Sequence, residues 1–317
     1  MELEVSSQEA DISGQTDDRI SFIYGAENGN TNLVLAASIL DRSPMSGADF
    51  DPSLAQLGIS GLGTSFLLFG PDTVESGPYA GTYSPFQNVP DPSCVANKGI
   101  LIPQASGSRC GFVYGPRFNV VNDEDHESMY GSFKTLLGNG TALEIDYMST
   151  AIDVNDNPQS PSYPALSYLS KEIYPGQGGS PFNVPVIWYG RPLGSAFPSP
   201  NSPKAISQYH FSNNLKFNIA KDLNFELSLT ASEHENKHQR PDTIESRFED
   251  AILGRGGPNG DEQWNIFLPL ENSADLIDYI KGSETSLKTG SLLSLDGILT
   301  GNKSGFNFAL GFQFNSE

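Results

Sequence analysis

Apolar and polar positions alternate along this chain in paired segments. Ile20, Phe22 and Tyr24 share one face of a period-two run, and Leu33, Leu35, Ala37 and Ile39 share one face of the next. Asn28-Gly29 lies between them, and Asn-Gly is the strongest short hairpin signal because both residues tolerate the positive φ of a type I′ turn. A two-residue loop there predicts Tyr24 opposite Leu33 and Phe22 opposite Leu35. Turn chemistry and apolar faces then select the same register.

Three more pairs repeat the pattern. Phe133 and Leu137 lead into Gly138-Asn139-Gly140, followed by Leu143, Ile145 and Tyr147. Closing that loop sets Phe133 opposite Ile145 and Lys134 opposite Glu144. Leu215, Phe217 and Ile219 run into Ala220-Lys221-Asp222, followed by Leu223, Phe225, Leu227 and Leu229. Parity puts Phe217 against Phe225 and Lys216 against Glu226, and opposite charges across a strand pair each add roughly 0.2–1 kcal/mol. In the last pair Leu293, Leu295 and Leu299 precede a Gly301-Asn302-Lys303-Ser304 turn, and Phe306, Phe308, Leu310, Phe312 and Phe314 follow it. Each hairpin has one large apolar face and one face of Ser, Asn, Lys, Glu, Gly and Gln.

The spacing is lopsided. Tight turns close the hairpins at one end, and Gly/Pro-rich connections over about 43–121, 153–204 and 236–283 join them at the other. Two short helical patterns appear in the last connection, 244–253 and 274–281, the second preceded by the capping residues Asn272 and Ser273 and followed by Gly282. Short turns on one side with long loops on the other mark an outer-membrane β-barrel, whereas a soluble sandwich shows short strands at even spacing. Several runs reach the roughly 9–11 residues that cross a bilayer at a tilt. The expected fold is all-β: an antiparallel up-and-down transmembrane barrel, partial at about nine strands, with short periplasmic turns and long extracellular loops. Residues 3–9 and 305–314 are expected at the two open edges of this half-barrel. No linker divides the chain, so residues 1–317 form one barrel domain.

Composition narrows the partners. Hydrophobic residues make up 37%, and no run approaches the roughly 18 apolar residues of a spanning helix, which excludes a helical membrane protein but not a barrel. There are 32 glycines and 22 prolines, as many turns and long loops require. A formal charge of −20 argues against a nucleic-acid partner. Cys94 and Cys110 fall in one long connection. A metal needs more ligands nearby, so a loop disulfide is expected, together with an oxidising compartment. The start, Met1-Glu2-Leu3-Glu4-Val5, is acidic and lacks the apolar run of a signal peptide, so a processed chain or a fragment is expected.

The order and spacing of several segments resemble TonB-dependent outer-membrane receptors, in the first part of their barrel. Asn32-Leu33-Val34-Leu35-Ala36-Ala37-Ser38-Ile39-Leu40-Asp41-Arg42 looks like an early barrel strand of that family. Cys110-Gly111-Phe112-Val113-Tyr114, with Asn122-Asp123-Glu124-Asp125-His126-Glu127 after it, resembles the cysteine loop and the descending strand. Tyr189-Gly190-Arg191-Pro192-Leu193-Gly194, Gly256-Gly257-Pro258-Asn259 and Asn272-Ser273-Ala274-Asp275-Leu276-Ile277 are similar to later loops. The resemblance implies a Gram-negative outer-membrane receptor that takes up a scarce small nutrient (an iron chelate, vitamin or glycan) with energy from the TonB inner-membrane complex, surrounded by outer-membrane lipid. The family's plug domain and TonB box have no counterpart here, so a fragment unable to transport by itself is expected. Gly260-Asp261-Glu262-Gln263 stands where the family often carries a second cysteine pair.

Other constellations compete with this reading. His234-Glu235-Asn236-Lys237-His238 is an H-E-x-x-H string that on a helix would put two imidazoles on zinc, with Glu235 activating water. It continues a strand pattern, where the two histidines lie about 13 Å apart at roughly 3.3 Å per residue, so no catalysis, metal or cofactor is expected. Asp153-Val154-Asn155-Asp156-Asn157 opens like a calcium loop, but Pro158 stands where the pattern needs Gly. Trp188, Tyr189, Arg191 and Trp264 lie in the long connections. Their residue types suit ligand anchors, and equally suit loop packing or a membrane interface. A passive porin-like channel and a secreted β-rich binding module are the remaining alternatives.

Overall fold

The computed structural model describes residues 1–158, 171–303 and 305–317, and of Asn139 the backbone alone. Its frame is one antiparallel sheet of nine strands in sequence order: β1 (Glu2–Glu9), β2 (Thr16–Asn28), β3 (Thr31–Arg42), β4 (Asp123–Leu136), β5 (Ala142–Asp156), β6 (Lys204–Ala220), β7 (Leu223–Thr243), β8 (Lys281–Lys303) and β9 (Phe306–Ser316). Each strand pairs with its chain neighbours. β1 and β9 are the two edges and do not pair with each other, so the sheet is open.

The expected pairs Phe133–Ile145 and Lys134–Glu144 form, as do Phe217–Phe225 and Lys216–Glu226. Both charge pairs close as ion pairs, and the rings of Phe217 and Phe225 lie 5.5 Å apart. The first hairpin differs by two residues. Tyr24 pairs with Leu35, Ala26 with Leu33 and Asn28 with Thr31, so the loop is Gly29-Asn30. Gly29 has a φ of 56° and Asn30 keeps a negative one, the pattern of a type II′ turn with glycine first, whereas a type I′ turn needs both positive. A two-residue shift preserves which face each side chain occupies. The last hairpin also runs further than expected: Gly301, Asn302 and Lys303 pair with Phe308, Asn307 and Phe306. Ser304 lies outside the described residues. Turn-forming residues in that stretch are tolerated in the ladder because Gly297 and Gly301 leave space that the rings of Phe312 and Phe308 fill; a Cβ on Gly297 would lie 2.1 Å from the Phe312 ring.

The turns share one end. The Leu136 N–H donates to the Asn30 carbonyl at 2.9 Å, and the Asn302 N–H to that of Asp222 at 3.0 Å. The three long connections lie at the opposite end, beside the short link between β1 and β2. Residues 159–170 of the second connection lie outside the described residues. The third is shorter than expected, because β7 and β8 stay paired up to Thr243–Lys281.

Register makes the two faces of the sheet chemically distinct. One row across it reads Ala26, Leu33, Phe133, Ile145, Asn213, Leu229, Leu295, Phe314; the next reads Tyr24, Leu35, Gly131, Tyr147, Phe211, Ala231, Leu293, Ser316. The intervening row belongs to the other face: Gly25, Val34, Ser132, Asp146, Ser212, Thr230, Ser294, Asn315. The apolar face changes character toward the loop end, where Asp18, Asp41, Asp125 and Asp153 stand side by side. The polar face is cross-linked, with Asn214 Nδ2 donating to Glu226 Oε1 at 2.7 Å and to Ser228 Oγ at 2.8 Å.

The long connections fold together. A four-stranded sheet of Lys171–Ile173, Val186–Tyr189, Ser65–Leu68 and Asn88–Pro90 draws on two of them. The third adds the helices Glu245–Ile252 and Ala274–Ile280, the latter capped by Ser273 Oγ accepting from the Leu276 N–H. All three share one core that includes Phe66, Tyr79, Phe182, Trp188, Phe248, Trp264, Phe267 and Ile280. Tyr79 Oη donates to the Phe267 carbonyl at 3.0 Å across 188 residues of sequence. This cap on the loop end is a folded body.

Candidate functional site

The residues singled out by type do not converge. Trp188 is 1% exposed and Trp264 is fully buried. Their indoles flank Phe248 at 5.5 and 5.9 Å and complete the cap core. Neither indole face meets solvent. Tyr189 lies on the same short strand, where alternation turns it the other way. The Arg109 guanidinium sits 4.0 Å over its ring, steered by a bond from Nε to Asn88 Oδ1 at 2.8 Å.

Arg191 reaches back into the cap. Its Nε donates to the Leu62 carbonyl and its Nη2 to Ser60 Oγ, each at 3.1 Å, and the guanidinium lies 4.8 Å from the Phe112 ring. Arg117 lies 5.0 Å from the same ring and donates to the carbonyls of Phe197 and Ser195 at 2.8 and 2.6 Å. Burial lowers the pKa of both arginines. This cluster clamps the first connection to the second. Arg109 and Arg117 escape a reading by residue type because nothing local distinguishes them; the neighbouring Cys110 is the only nearby cue.

Cys94 and Cys110 form a disulfide, with Cα atoms 5.8 Å apart. Gly99 packs on it, and a Cβ there would lie 2.9 Å from each sulfur. Asp91, buried beside the bridge, has its carboxyl raised by desolvation.

The loop end of the polar face carries an ion network. Arg42 holds Asp17 through two nitrogens at 3.1 and 3.0 Å and reaches Glu124 at 3.4 Å, and Glu124 meets His126 Nε2 at 3.0 Å. The hydrogen bond from Arg42 keeps the Asp17 carboxyl below its ordinary value. Shallow grooves open further along this face, two of them about 520 and 510 Å³.

His234, Glu235 and His238 all lie on β7, in ladder contact with β6 and β8. An extended strand turns Glu235 to the opposite face from both histidines. His238 Nε2 lies 2.9 Å from Ser202 Oγ, and burial lowers its pKa. His234 to His238 therefore lies on a strand and not on the helix that the H-E-x-x-H reading needs. Asp153 to Asp156 form the top of β5, paired with β4 and held by side-chain amides: Asn119 Nδ2 bonds Asp156 and Asn155 Nδ2 bonds Asp125. Among the described residues no three His, Cys, Asp or Glu side chains gather to hold a metal ion.

No known protein-family model matches the sequence, and no curated protein matches it. Among solved structures, the outer membrane transporter YddB from Escherichia coli aligns with a TM-score of 0.29 at 8% identity. The alignment covers 95% of this chain and 34% of that one, so the chain spans about a third of the transporter's length.

Proposed function

We propose that this chain is part of the barrel of a TonB-dependent-type receptor in a Gram-negative outer membrane, acting in uptake of a scarce small nutrient rather than in catalysis. One observation carries the reading: the apolar face of the nine-stranded sheet is left uncovered by the protein itself. Along β9 alone Phe306 is 78% exposed, Leu310 65% and Phe314 62%. In water such a face is a severe liability. In lipid it is the band of a barrel strand, and the opposite polar face suits an aqueous lumen. The apolar stretch of β7, from Leu223 to Ala231, matches the roughly 9–11 residues of a tilted spanning strand. The acidic row Asp18, Asp41, Asp125 and Asp153 then falls in water above the bilayer, and the cap faces outside, where it meets the nutrient first. Energy coupling by the TonB inner-membrane complex belongs to a plug, which the described residues do not form.

A pair of neighbouring positions tests this. The chain has no free cysteine, so Leu229→Cys and Thr230→Cys each add one labelling site, on the apolar and polar faces respectively. With the protein in lipid vesicles, a fluorophore on the Leu229→Cys variant is expected to be quenched by a lipid-borne quencher. One on the Thr230→Cys variant is expected to be quenched by aqueous iodide. Equal quenching of both variants by iodide, or failure to associate with vesicles at all, would overturn the reading in favour of a soluble binding module.

A further inference from the structure

All four histidines of the chain, His126, His210, His234 and His238, lie on the polar face of the sheet. Two of them are cross-strand neighbours. Gln208 pairs with His234 and His210 pairs with Ser232, so His210 and His234 are diagonal partners on one face of β6 and β7. Diagonal partners are about 7–8 Å apart at the backbone, within reach of long side chains. Both line the same groove of about 510 Å³, together with Met148, Ser232, Gly290 and Leu292.

The surroundings prepare this pair for a ligand. His210 Nδ1 lies 2.8 Å from Ser232 Oγ. An Nδ1–H donated to that hydroxyl leaves Nε2 with its lone pair directed away, the arrangement in which a neighbouring acceptor orients a metal-binding imidazole. On the far side, β8 places Gly290 opposite His234, and a Cβ there would meet nothing within 4 Å. The groove is thus open where a side chain would otherwise fill it. The ladder also explains why His238, although it shares the H-E-x-x-H string, takes no part. It lies about 13 Å further along the same strand at roughly 3.3 Å per residue, and it is engaged with Ser202.

We infer that His210 and His234 form a two-imidazole site for a borderline divalent transition metal, of the zinc or copper class, with its remaining positions left to water or to a small chelator carried with the ion. Imidazole nitrogens suit these metals and not calcium or magnesium. Two nitrogens at about 2.0–2.1 Å from one ion supply half of a four-coordinate shell. The open half suits an ion that must also leave, because nothing in the groove closes around it. The site depends on the strand register alone and stands whether or not the chain spans a membrane.

Equilibrium dialysis of the full 317-residue chain against Zn²⁺, with folding checked by far-UV circular dichroism, tests it. The wild-type chain is expected to saturate at about one ion per chain and to keep it in excess Ca²⁺. His210→Ala and His234→Ala are each expected to abolish saturable binding. Ser232→Ala, which leaves both ligands in place, is expected to weaken it about 10-fold. His126→Ala and His238→Ala are expected to bind as the wild type does. Absence of saturable Zn²⁺ binding by the folded wild-type chain, or binding that survives His210→Ala or follows His238→Ala instead, would overturn the proposal. A Cu²⁺ electron paramagnetic resonance spectrum with two nitrogen ligands, lost in either histidine variant, is the second expected readout.

Discussion

The nine-stranded sheet and the cap treat their large side chains in opposite ways. In the cap, Phe66, Phe182, Trp188, Phe248, Trp264 and Phe267 are all 2% exposed or less, packed against one another from three connections. In the sheet, residues of the same kind stay open: Ile39 is 56% exposed, Ile219 53% and Phe312 52%. The cap is held by a core of its own, as any small domain is. The sheet is held by its ladders, and its apolar face is left uncovered by the rest of the chain. A side chain's hydrophobicity therefore says little about what it does here until the element that carries it is known.

The largest test of this contrast is truncation of one ring on each side. Trp264→Ala removes a fully buried indole from the cap core and is expected to cost about 3–5 kcal/mol. Phe314→Ala, on the 62% exposed apolar face, removes no protein contact of that kind. In detergent-solubilised protein, limited proteolysis should cut the cap of the first variant rapidly while its sheet keeps its circular dichroism; the second variant should digest as the wild type does. Equal protection of the cap in both would mean that the three connections do not depend on a shared core.

The disulfide ranks next. Cys94 and Cys110 close a loop of 16 residues within the cap, for which the chain-entropy model gives about 3 kcal/mol. Replacing both with serine should lower the cap's unfolding midpoint in urea and leave the sheet's transition in place. A sheet transition that moved by the same amount would show the two regions unfolding as one unit.

The same contrast explains what can be read from the sequence. Period-two alternation reports strands directly, and where a charge pair accompanies the turn the register follows, as for Lys134–Glu144 and Lys216–Glu226. Without such a pair the first hairpin slips by one turn type, because Asn28-Gly29 and Gly29-Asn30 are both good two-residue loops. The last hairpin hides its turn for a related reason: Gly301, which looks like a turn residue, serves as a seat for Phe308. The cap is nearly illegible. The strands of its four-stranded sheet are three or four residues long, too short for periodicity, and its contacts span up to 188 residues. Its helices Glu245–Ile252 and Ala274–Ile280 carry local signals. Trp188 and Trp264 have a residue type that serves cores and ligand sites alike, and only packing decides between them. His210 and His234 are 24 positions apart in sequence and become neighbours through register alone.

The smallest effect is expected where the two regions join. Asp242 sits at the top of β7, opposite Gly282, just before the chain enters the cap. Burial raises its carboxyl from 3.8 to about 6, with Glu284 adding to the rise and the Thr243 N–H and Arg240 opposing it. A carboxyl raised in the folded state binds its proton more tightly there than in the unfolded chain. Its contribution is therefore complete below the unfolded value of 3.8 and is lost as pH rises through about 6. The joint should loosen between those values and stay loose at neutral pH. For a half-exposed group screened by solvent, the loss is on the order of 1 kcal/mol. Asp242→Asn keeps the shape and the acceptor oxygen but removes the charge, so it should hold the joint closed across the whole range. Amide exchange at Ile244, whose N–H donates to the Ile280 carbonyl at 2.8 Å, reads the joint where β7 enters the cap. Protection in the wild type should fall from about pH 4 to about pH 7 once the intrinsic pH dependence of exchange is removed, and should stay level in Asp242→Asn. If protection falls equally in both, Asp242 is not the group that titrates.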